Sequence, residues 1–469
     1  MGPVGRGGAQ PAPVGSEGFV VTAGQGLFVK VSVIGCGYLG AVHAACMAKL
    51  GHEVVGIDVD ERKVAALREG RAPFYEPGLA ELLAEVGETG RLSFSTDMAD
   101  AAGAAVHFIC VGTPQAHGEF RADLTYVEAA TAGLAPFLRP GDVVAGKSTV
   151  PVGTAERLAA SLEATGATLV WNPEFLREGF AVQDTLHPDR LVYGLPTDGD
   201  GAVTPAGAGA RGVLDEVYAA AIAAGTPLVV TDRATAQLVK VAANSFLATK
   251  ISFINAMAEL CEATGADVTK LADAIGLDPR IGRRFLNAGL GFGGGCLPKD
   301  IRAFMARAGE LGVSDALGFL REIDSINMRR RVRMVDLARE VCHGSIVGRR
   351  VAVLGAAFKP DSDDVRDSPA LSVAAQMQLQ GAHVTVTDPR AIENAQAKWP
   401  DIRFAATALD AARDADVVLL ATEWSEYSNL DPEELGAVVA TKAMLDGRNV
   451  LDPVRWRAAG WTYRALGRP

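Results

Sequence analysis

Short apolar runs of the kind that form buried strands alternate with helical stretches over the first part of the chain. Each run is bounded by Gly or by polar residues. Strands that alternate with helices in this way predict a parallel sheet built from right-handed βαβ units. The runs occupy residues 29–35, 52–58, 105–112, 142–150, 167–173 and 190–194.

The same order of elements returns near the end of the chain. A strand, a Gly turn, a helix and a strand that ends in Asp follow one another, with Gly355 in the place of Gly35 and Asp388 in the place of Asp58. The pattern predicts an α/β fold with two Rossmann-like, doubly wound domains. The late runs are residues 349–355, 382–388 and 415–424.

A long helical pattern without Pro or internal Gly separates the two domains. It runs from Asp232 to Gly265, and a helix of that length spans roughly 50 Å. We expect this central helix to join the two lobes and to contribute the contact of a homodimer. The Gly/Ala-rich residues 197–212 are typical of a solvated loop insertion. The predicted units are a flexible tail over 1–28, a first Rossmann-like domain over 29–225, a central helical domain over 226–335 and a second Rossmann-like domain over 336–469.

Composition narrows the classes of function. Apolar residues make up 49% of the chain and charged residues 22%, which is typical of a globular protein. The net charge of −11 argues against a nucleic-acid surface. The six cysteines are scattered without metal-ligand spacing, so we expect no metal site and a reducing, cytoplasmic location. No apolar run approaches the roughly 18 residues of a spanning helix, so we expect no membrane insertion.

The first Gly turn has the residues of a dinucleotide site. The segment GCGYLG at 35–40 follows a strand and opens a helix. Gly35 permits the tight turn, Gly37 lets the backbone approach a pyrophosphate, and Gly40 allows close helix packing. Asp58 ends the second strand, where its carboxylate can bind a ribose and repels a 2′-phosphate, which predicts NAD rather than NADP. The predicted cofactor residues are Gly35, Gly37, Tyr38, Leu39, Gly40, Asp58, Lys63 and Thr113.

The second Gly turn differs from the first. It reads GAAFKP at 355–360 and has lost two of the three glycines, so it is less suited to seat a dinucleotide pyrophosphate. Lys359 adds a cation at the turn. A Rossmann-like domain with this change favours another anionic ligand, such as a nucleotide diphosphate.

The most informative segment is FLNAGLGFGGGCLPKD at 285–300. Its five glycines from Gly289 to Gly295 predict many backbone N–H groups near Cys296. A helix that begins after Cys296 would lower the pKa of this thiol, and Asp300 would lie one turn further on. The pattern predicts an activated nucleophile, whereas the other cysteines are typical of small buried hydrophobic residues.

Further candidate residues lie on the long helix and in two other segments. Lys240 and Asn244 share one helix face among apolar neighbours, which predicts a lowered lysine pKa and a role in proton transfer or oxyanion stabilisation. Thr149 in STVPVGT can hold a water molecule. Glu174 and Glu178 in WNPEFLREG are spaced as on one helix face and can activate that water.

Taken in order, these segments resemble the UDP-glucose/GDP-mannose dehydrogenase family from about residue 29 to about residue 455. The segments HPDR and LREG are most similar to the UDP-glucose members of that family. Gly295 departs from the family pattern, which often has Ser there, and we expect this change to be tolerated. The matching segments are VIGCGYLG, VGTP, KSTVPVGT, NPEFLREG, HPDR, LVKVAANSFLATKISFINAMAE, GFGGGCLPKD and GAAFKPDSDDVRDSPA.

The resemblance implies a first domain that binds NAD, a central dimer contact and a C-terminal domain that binds UDP. It implies oxidation of a sugar C6 alcohol to a carboxylate in two hydride transfers, with the aldehyde held on Cys296 as a thiohemiacetal and then a thioester. The implied catalytic residues are Cys296, Lys240, Asn244, Asp300, Thr149, Glu174 and Glu178. The implied substrate-binding residues are Phe175, Leu176, Arg177, Lys240, Asn244, Phe285, Gly293, Phe358, Lys359, Arg366 and Arg448.

Several alternatives remain open at this stage. A GDP-mannose or UDP-N-acetylmannosamine 6-dehydrogenase would share most of these residues. A β-hydroxyacid dehydrogenase would also have the long helix and the lysine, but it oxidises once and needs no thiol. A non-catalytic nucleotide-sugar or NAD sensor is the alternative outside enzymes, and NADH formation distinguishes it.

Overall fold

Two parallel sheets form the two lobes of the protein. The structure is a computed structural model that describes residues 28–469. The flexible tail predicted over 1–28 lies outside the described residues except for Phe28.

The N-terminal lobe is an eight-stranded sheet in the order β3-β2-β1-β4-β5-β6-β7-β8. Its neighbouring strands are parallel, except that β6 and β7 are antiparallel. The predicted strands are confirmed, and β3 and β8 are additional. The strands are β1 (Lys30–Ile34), β2 (Glu53–Ile57), β3 (Leu92–Ser95), β4 (Val106–Ile109), β5 (Val143–Gly146), β6 (Thr168–Trp171), β7 (Leu191–Leu195) and β8 (Leu228–Asp232).

Helices cover both faces of this sheet, which is why its central strands are apolar on both sides. Val31 and Val33 of β1 pack into one core and Ile34 into the core on the opposite face. The helices are α1 (Tyr38–Lys49), α2 (Glu61–Arg68), α3 (Leu79–Gly87), α4 (Thr125–Leu134), α5 (Thr154–Leu162), α6 (Ala181–Leu186), α7 (Pro205–Val217) and α8 (Ala219–Ala223).

The central region is helical, as predicted. Its longest helix, α9 (Arg233–Thr264), is capped by the Asp232 side chain at one end and ends at Gly265 in the left-handed conformation. The caps explain why the helix has the limits expected from the sequence. The remaining central helices are α10 (Val268–Gly276), α11 (Leu297–Glu310) and α12 (Gly318–Val341).

The C-terminal lobe has a six-stranded parallel sheet in the order β11-β10-β9-β12-β13-β14. The strands are β9 (Arg350–Leu354), β10 (His383–Thr387), β11 (Arg403–Phe404), β12 (Val417–Leu420), β13 (Ala443–Asp446) and β14 (Thr462–Ala465). The helices are α13 (Pro369–Leu379), α14 (Ile392–Lys398), α15 (Ala408–Ala412), α16 (Ser425–Ser428), α17 (Pro432–Gly436) and α18 (Pro453–Ala458). The second predicted Rossmann-like domain is therefore present.

Two predicted boundaries differ from the observed elements. The boundary at 225 falls before β8, which pairs with β7 and so belongs to the N-terminal sheet. The boundary at 335 falls inside the continuous helix α12. Leu337 and Ala338, near the end of this helix, pack into the core of the C-terminal lobe. A continuous helix thus belongs to the central region at one end and to the C-terminal lobe at the other.

The prediction that residues 197–212 form a solvated loop is wrong, because α7 begins inside them. The Thr204 side chain accepts a hydrogen bond from the Gly207 N–H at 3.1 Å, and Pro205 occupies the first turn of the helix. These residues are a helix start signal. Ala210 and Leu214 then bury one face of the helix against the sheet.

The turn between β1 and α1 depends on its glycines to different extents. Gly35 has a φ of +91°, which favours glycine. A Cβ at Gly40 would lie 1.7 Å from the carbonyl oxygen of Gly35, whereas a Cβ at Gly37 would meet nothing within 4 Å. The role predicted for Gly40 in close packing is confirmed, and the space beside Gly37 is open.

We therefore predict opposite outcomes for two Gly→Ala substitutions in one turn. Gly40→Ala forces backbone against backbone and should lower the free energy of unfolding by about 3 kcal/mol or more. Gly37→Ala should unfold at nearly the wild-type temperature, because its methyl group meets no protein atom. Thermal unfolding of the two purified variants measures the difference, and equal melting temperatures would contradict the role given to Gly40.

Candidate active site

Cys296 lies at the start of α11, directly after the glycine-rich loop. It is the N-cap residue of that helix, as the sequence predicted. It is also exposed, whereas the other five cysteines are buried. The backbone N–H of Asp300 donates to the carbonyl of Cys296 at 2.9 Å, which fixes Asp300 one turn along the helix.

The prediction that the helix lowers the pKa of the Cys296 thiol is wrong. The sulfur is accessible from the cleft, yet protein surrounds it on most sides, and this burial is the main cause that raises its pKa to about 11. The Asp300 carboxylate raises the pKa further, and the Lys240 ammonium opposes both. The resting side chain is therefore a neutral thiol, which must lose its proton as it attacks.

Two side chains of α9 donate hydrogen bonds to carboxylates near the Cys296 thiol. The Lys240 Nζ donates to Glu174 Oε1 at 2.9 Å, and the Asn244 Nδ2 donates to Asp300 Oδ2 at 2.7 Å. Lys240, Asn244 and Asp300 are all buried. Four predicted catalytic residues thus lie together beside Cys296.

The lowered pKa predicted for Lys240 is also wrong. Burial is the largest single cause and lowers this pKa, but Glu174, Cys296 and Asp300 together outweigh burial and the net pKa is raised. An ion pair at 2.9 Å favours the charged form of a lysine even in a buried site. Lys240 is therefore an ammonium group, suited to stabilise an oxyanion rather than to take a proton.

The N–H groups of the glycine-rich loop do not converge on Cys296 as expected. Several of them already bond to protein oxygens of other elements. Gly289 donates to Asn255, Leu290 to Gly447, Phe292 to Asn327 and Gly294 to Arg366, at distances of 2.7–3.0 Å. The loop is held in place from several sides.

The glycines are needed because neighbouring elements approach the loop closely. A Cβ at Gly291 would lie 2.2 Å from Asn327 Oδ1, and a Cβ at Gly293 would lie 2.4 Å from the Asp367 carbonyl oxygen. Asn327 of α12 is buried, accepts from the Phe292 N–H at 2.7 Å and donates to its carbonyl at 3.0 Å. Asn327 was not found from the sequence, because its face of α12 also carries the buried Arg330 and Arg331, so one amide there does not stand out.

Glu174 and Glu178 do not share a helix face, because residues 172–177 form an extended loop. Glu174 faces Lys240, whereas Glu178 lies at the contact between the lobes. Glu178 accepts from Ser362 at 3.2 Å and from Arg366 at 3.3 Å. Burial raises the pKa of Glu178 to about 7, with Arg366 opposing this effect. The structure therefore separates the two glutamates that the spacing had paired.

The three predicted nucleotide-binding cations surround the cysteine loop. Lys359 donates to the carbonyl of Glu178. Arg366 lies against Gly295, where an added Cβ would be 2.2 Å from its Cζ. Arg448 donates to Gly291, Phe358 and Ala421 carbonyls at 2.7–3.3 Å and so joins the cysteine loop to the C-terminal lobe.

The first Gly turn has the features of a dinucleotide site. Asp58 accepts from the Cys36 N–H at 2.8 Å and from Lys63 at 2.9 Å, so Lys63 fixes the carboxylate at the end of β2. The open space beside Gly37 leaves room for a pyrophosphate at the start of α1. These residues fit NAD.

At the second Gly turn, the Asp388 carboxylate bonds to two backbone N–H groups. Asp388 accepts from the Ala356 and Ala357 N–H groups at 2.7 and 3.0 Å and from Trp424 at 3.1 Å. The Cys36 N–H bonds to Asp58 in the same way at the first turn, so the turns differ in the second bonded amide, that of Ala357. That the second turn does not seat a dinucleotide stays a prediction.

Thr149 lines a small cavity of about 20 Å³ together with Thr113, Lys299 and Asp300. The Thr113 hydroxyl donates to the Thr149 carbonyl at 2.7 Å. A cavity of this size holds one water molecule. Thr149 and Asp300 thus line the same water-sized space.

The remaining predicted residues lie in different surroundings. The Arg190 Cζ lies 3.8 Å and the Lys240 Nζ 5.6 Å from the centroid of the Phe175 ring. Arg177 is exposed and pairs with Asp184 at 2.7 Å. The Tyr38 hydroxyl donates to the buried Glu76, and Leu39 and Leu176 line a second cavity. Phe285 is half-exposed and has a φ of +68°. Phe358 lies beside Gly294.

Glu76 is a further residue that no sequence pattern singled out. It is buried, it accepts from the Tyr38 hydroxyl, and it accepts from Gly179 and Ala181 N–H groups at 2.6 and 2.7 Å. It therefore fixes the segment after Glu178 to the start of α1. A single Glu in a Pro-rich loop carries no pattern that would have identified it.

Residues 28–469 contain neither a membrane-spanning helix nor a metal-binding cluster. Within this range no helix has the length and apolar character needed to cross a membrane. In the same range no three His, Cys, Asp or Glu side chains are grouped so that they could hold a metal ion.

Sequence profiles of one family match three consecutive parts of the chain. Profiles of the UDP-glucose/GDP-mannose dehydrogenase family match residues 29–220 as the NAD binding domain, 234–329 as the central domain and 352–453 as the UDP binding domain. Together they cover most of the chain, in the order that the fold shows.

Individual relatives match over nearly the whole length. The UDP-glucose 6-dehydrogenase of Rhizobium meliloti is 42% identical over 94% of this chain and 100% of its own. The UDP-glucose 6-dehydrogenase TuaD of Bacillus subtilis is 40% identical over 94% and 93%. A solved UDP-glucose dehydrogenase from Pyrobaculum islandicum has a TM-score of 0.85 and 38% identity, covering 96% of this chain and 100% of its own. The chain is an NAD-dependent oxidoreductase that belongs to the UDP-glucose/GDP-mannose dehydrogenase family.

Proposed function

We propose that this protein oxidises UDP-glucose to UDP-glucuronate in two steps and uses Cys296 to retain the intermediate aldehyde. The observation that carries the proposal is the surroundings of this thiol. The charges of Lys240 and Asp300 act on this thiol from the central helices, and those of Lys359 and Arg366 act on it from the C-terminal lobe. A sugar diphosphate bound to those cations would bring its C6 atom to the sulfur.

NAD accepts a hydride in each of the two oxidations. In the first, the C6 hydroxyl loses its proton towards Glu174, while the Lys240 ammonium stabilises the alkoxide. The pair at 2.9 Å keeps both groups charged for this task. The neutral Cys296 thiol then adds to the aldehyde and gives a thiohemiacetal, its proton passing to a neighbouring base.

The second oxidation converts the thiohemiacetal into a thioester. The amide of Asn244 and the ammonium of Lys240 are the oxyanion donors, each worth roughly 3 kcal/mol in comparable sites. Water between Thr149 and Asp300 attacks the thioester and releases the acid and the thiol. Glu178 bonds to Arg366 and Ser362, which favours a role for it in holding the lobes together around the diphosphate.

A 6-dehydrogenase for another nucleotide sugar is the second candidate. A solved UDP-D-ManNAc dehydrogenase from Pyrococcus horikoshii has a TM-score of 0.80 and 26% identity to this chain. The higher identity of 42% to a UDP-glucose 6-dehydrogenase supports glucose. A panel of UDP- and GDP-sugars, assayed for NADH per mole of sugar, tests the substrate and the count of two hydrides together.

We also infer a homodimer formed through the central helices. Phe246, Phe253 and Leu260 recur at seven-residue intervals on one side of α9 and are 66%, 47% and 58% exposed. Met328 and Val332 of the neighbouring α12 are exposed as well. An apolar stripe of this kind is typical of a helix that packs against another chain.

All six cysteines are free thiols. This supports the inference that the protein works in the reducing cytoplasm, where its nucleophile would stay unmodified.

Cys296→Ser should lower uronate formation by about a thousandfold or more, because a hydroxyl cannot form the thioester. The expected product is the aldehyde or its adduct, with at most one NADH per sugar. Product analysis by mass spectrometry measures this. Cys261→Ser is the control, since Cys261 lies buried on α9 outside the cleft. Normal turnover of Cys296→Ser would exclude the covalent step.

Asp58→Asn should raise the affinity for NADP relative to NAD by about tenfold, because the carboxylate that repels a 2′-phosphate is removed. Wild type should bind NAD more tightly than NADP. Asp60→Asn is a matched control that removes a nearby charge but keeps a residue able to cap α2. Titrations of both cofactors measure the ratio, and a wild type that holds NADP as tightly as NAD would refute the assignment.

A double substitution on α9, Phe246→Asp with Phe253→Asp, should convert the dimer into a folded monomer at micromolar concentration. Two carboxylates would have to be buried in the contact. Light scattering measures the mass. Leu379→Asp, at a position of α13 that is 87% exposed, should leave the dimer intact. A double variant that stays dimeric would show that another surface forms the contact.

A further inference from the structure

A second cavity, of about 60 Å³ and open to solvent on one side, lies in the N-terminal lobe behind the loop that carries Glu174. Lys147, Asn172 and Tyr218 line its inner part, and Asp189, an exposed residue, lines its outer part. Because one water needs roughly 10–15 Å³, a polar cavity of this size holds several. We call this cavity the Lys147 chamber.

Lys147 has surroundings that packing alone does not explain. Its side chain is buried, and its Nζ contacts Asn172 Oδ1 at 3.0 Å, the Tyr218 hydroxyl at 3.2 Å and the Asn172 carbonyl at 3.4 Å. All three partners are uncharged, and Lys147 forms no ion pair with any of residues 28–469. A buried ammonium without a counterion is costly, and a methionine would fill the same space at less cost.

Glu174 connects the chamber to the cleft. It lines the chamber, yet its Oε1 accepts from Lys240 at 2.9 Å and its Oε2 accepts from the Leu176 N–H at 2.7 Å. A proton that reaches Glu174 from the cleft therefore has polar, water-sized space on the other side.

We propose that the Lys147 chamber is the route by which protons released from the substrate leave Glu174 for solvent. The inference rests on the proposed function, since each hydride transfer from an alcohol to NAD releases one proton. Glu174 passes this proton through chamber water to the neutral Lys147 amine. Lys147 passes it through further water to solvent near Asp189, which restores the Glu174 carboxylate. Lys147 touches no reacting atom and is a positioning residue that acts through Glu174.

The charge state of Lys147 suits this role. Burial lowers its pKa to about 8, with Glu174 among the groups that oppose this effect and Lys240 among those that add to it. A group with a pKa near the working pH can both accept and release a proton. The titratable or charged groups that face Lys147 or line the chamber are His43, Cys110, Glu174, Asp184, Asp189, Arg190, Tyr218 and Lys240.

Lys147→Met should slow the first hydride transfer by roughly tenfold or more, because proton exit is lost. KM for UDP-glucose and for NAD should stay within about twofold, because Lys147 is not one of the predicted binding residues and Met has a similar volume. Single-turnover NADH formation measures the step. In wild type the rate should rise through about pH 8, where Lys147 loses its proton, and this rise should be absent from Lys147→Met.

Added small amines distinguish a proton-relay role of Lys147 from a structural role. In Lys147→Ala, ethylamine or propylamine should restore the rate, and the restored rate should depend on the basicity of the amine. Slow variants with no response to amines and an unchanged pH profile would overturn the proposal, as would Lys147→Met at the wild-type rate. If neither variant folds, Tyr218→Phe removes one acceptor of the ammonium and should move the pH-dependent rise to lower pH; an unmoved profile also overturns it.

A stability measurement tests the charge state without activity. The pKa of Lys147 is about 8 in the folded protein, below its ordinary value of 10.5. The unfolded chain therefore binds more protons between these values, and the folded state gains stability as pH rises through this range. Relative to Lys147→Met, wild type should be least stable below pH 8 and should recover towards pH 10.5. A constant difference would refute the shifted lysine. Absence of NADH from wild-type protein with any nucleotide sugar would instead refute the proposed function.

Discussion

The constraint on which the site depends is the close packing of the cysteine loop between α12 and the C-terminal lobe. Asn327 bonds to both backbone groups of Phe292, and Arg448 donates to the Gly291 carbonyl at 3.3 Å. Side chains at Gly289, Gly291 and Gly293 would collide with backbone or with Asn327. These contacts hold the loop in place, and Cys296 follows it directly at the start of α11.

Because of this packing, side chains from different parts of the chain surround the Cys296 thiol. Lys240 and Asn244 reach it from the central helix, whereas Arg366 reaches the adjacent Gly295 from the C-terminal lobe. A side chain in place of Gly295 would meet this guanidinium, which can move aside because it ends a flexible side chain. Opposite charges from separate elements thus meet at one sulfur, and the resulting field decides which groups are ionised.

The ionisation states differ from those that local sequence suggests. A helix start lowers a thiol pKa in isolation, but burial and Asp300 raise that of Cys296 to about 11. An apolar environment lowers a lysine pKa, but Glu174, Cys296 and Asp300 together reverse this for Lys240. Lys147, which lacks a carboxylate contact, keeps the lowered pKa that burial causes. Burial therefore decides the direction of the pKa shift for Cys296 and Lys147, whereas neighbouring charges decide it for Lys240.

The sequence alone determined the two Rossmann-like lobes, the limits of α9, the dinucleotide turn and the residues gathered at Cys296, because these follow from local periodicity, caps and motifs. It missed β3, β8, β11, β13 and β14, since short strands need their neighbours to be recognised. It also read α7 as a loop, because its glycines concealed the Thr204 cap. Only the tertiary structure decided the separation of Glu174 from Glu178, the role of Asn327 and the Lys147 chamber. These depend on contacts between residues far apart in sequence, which no local pattern records.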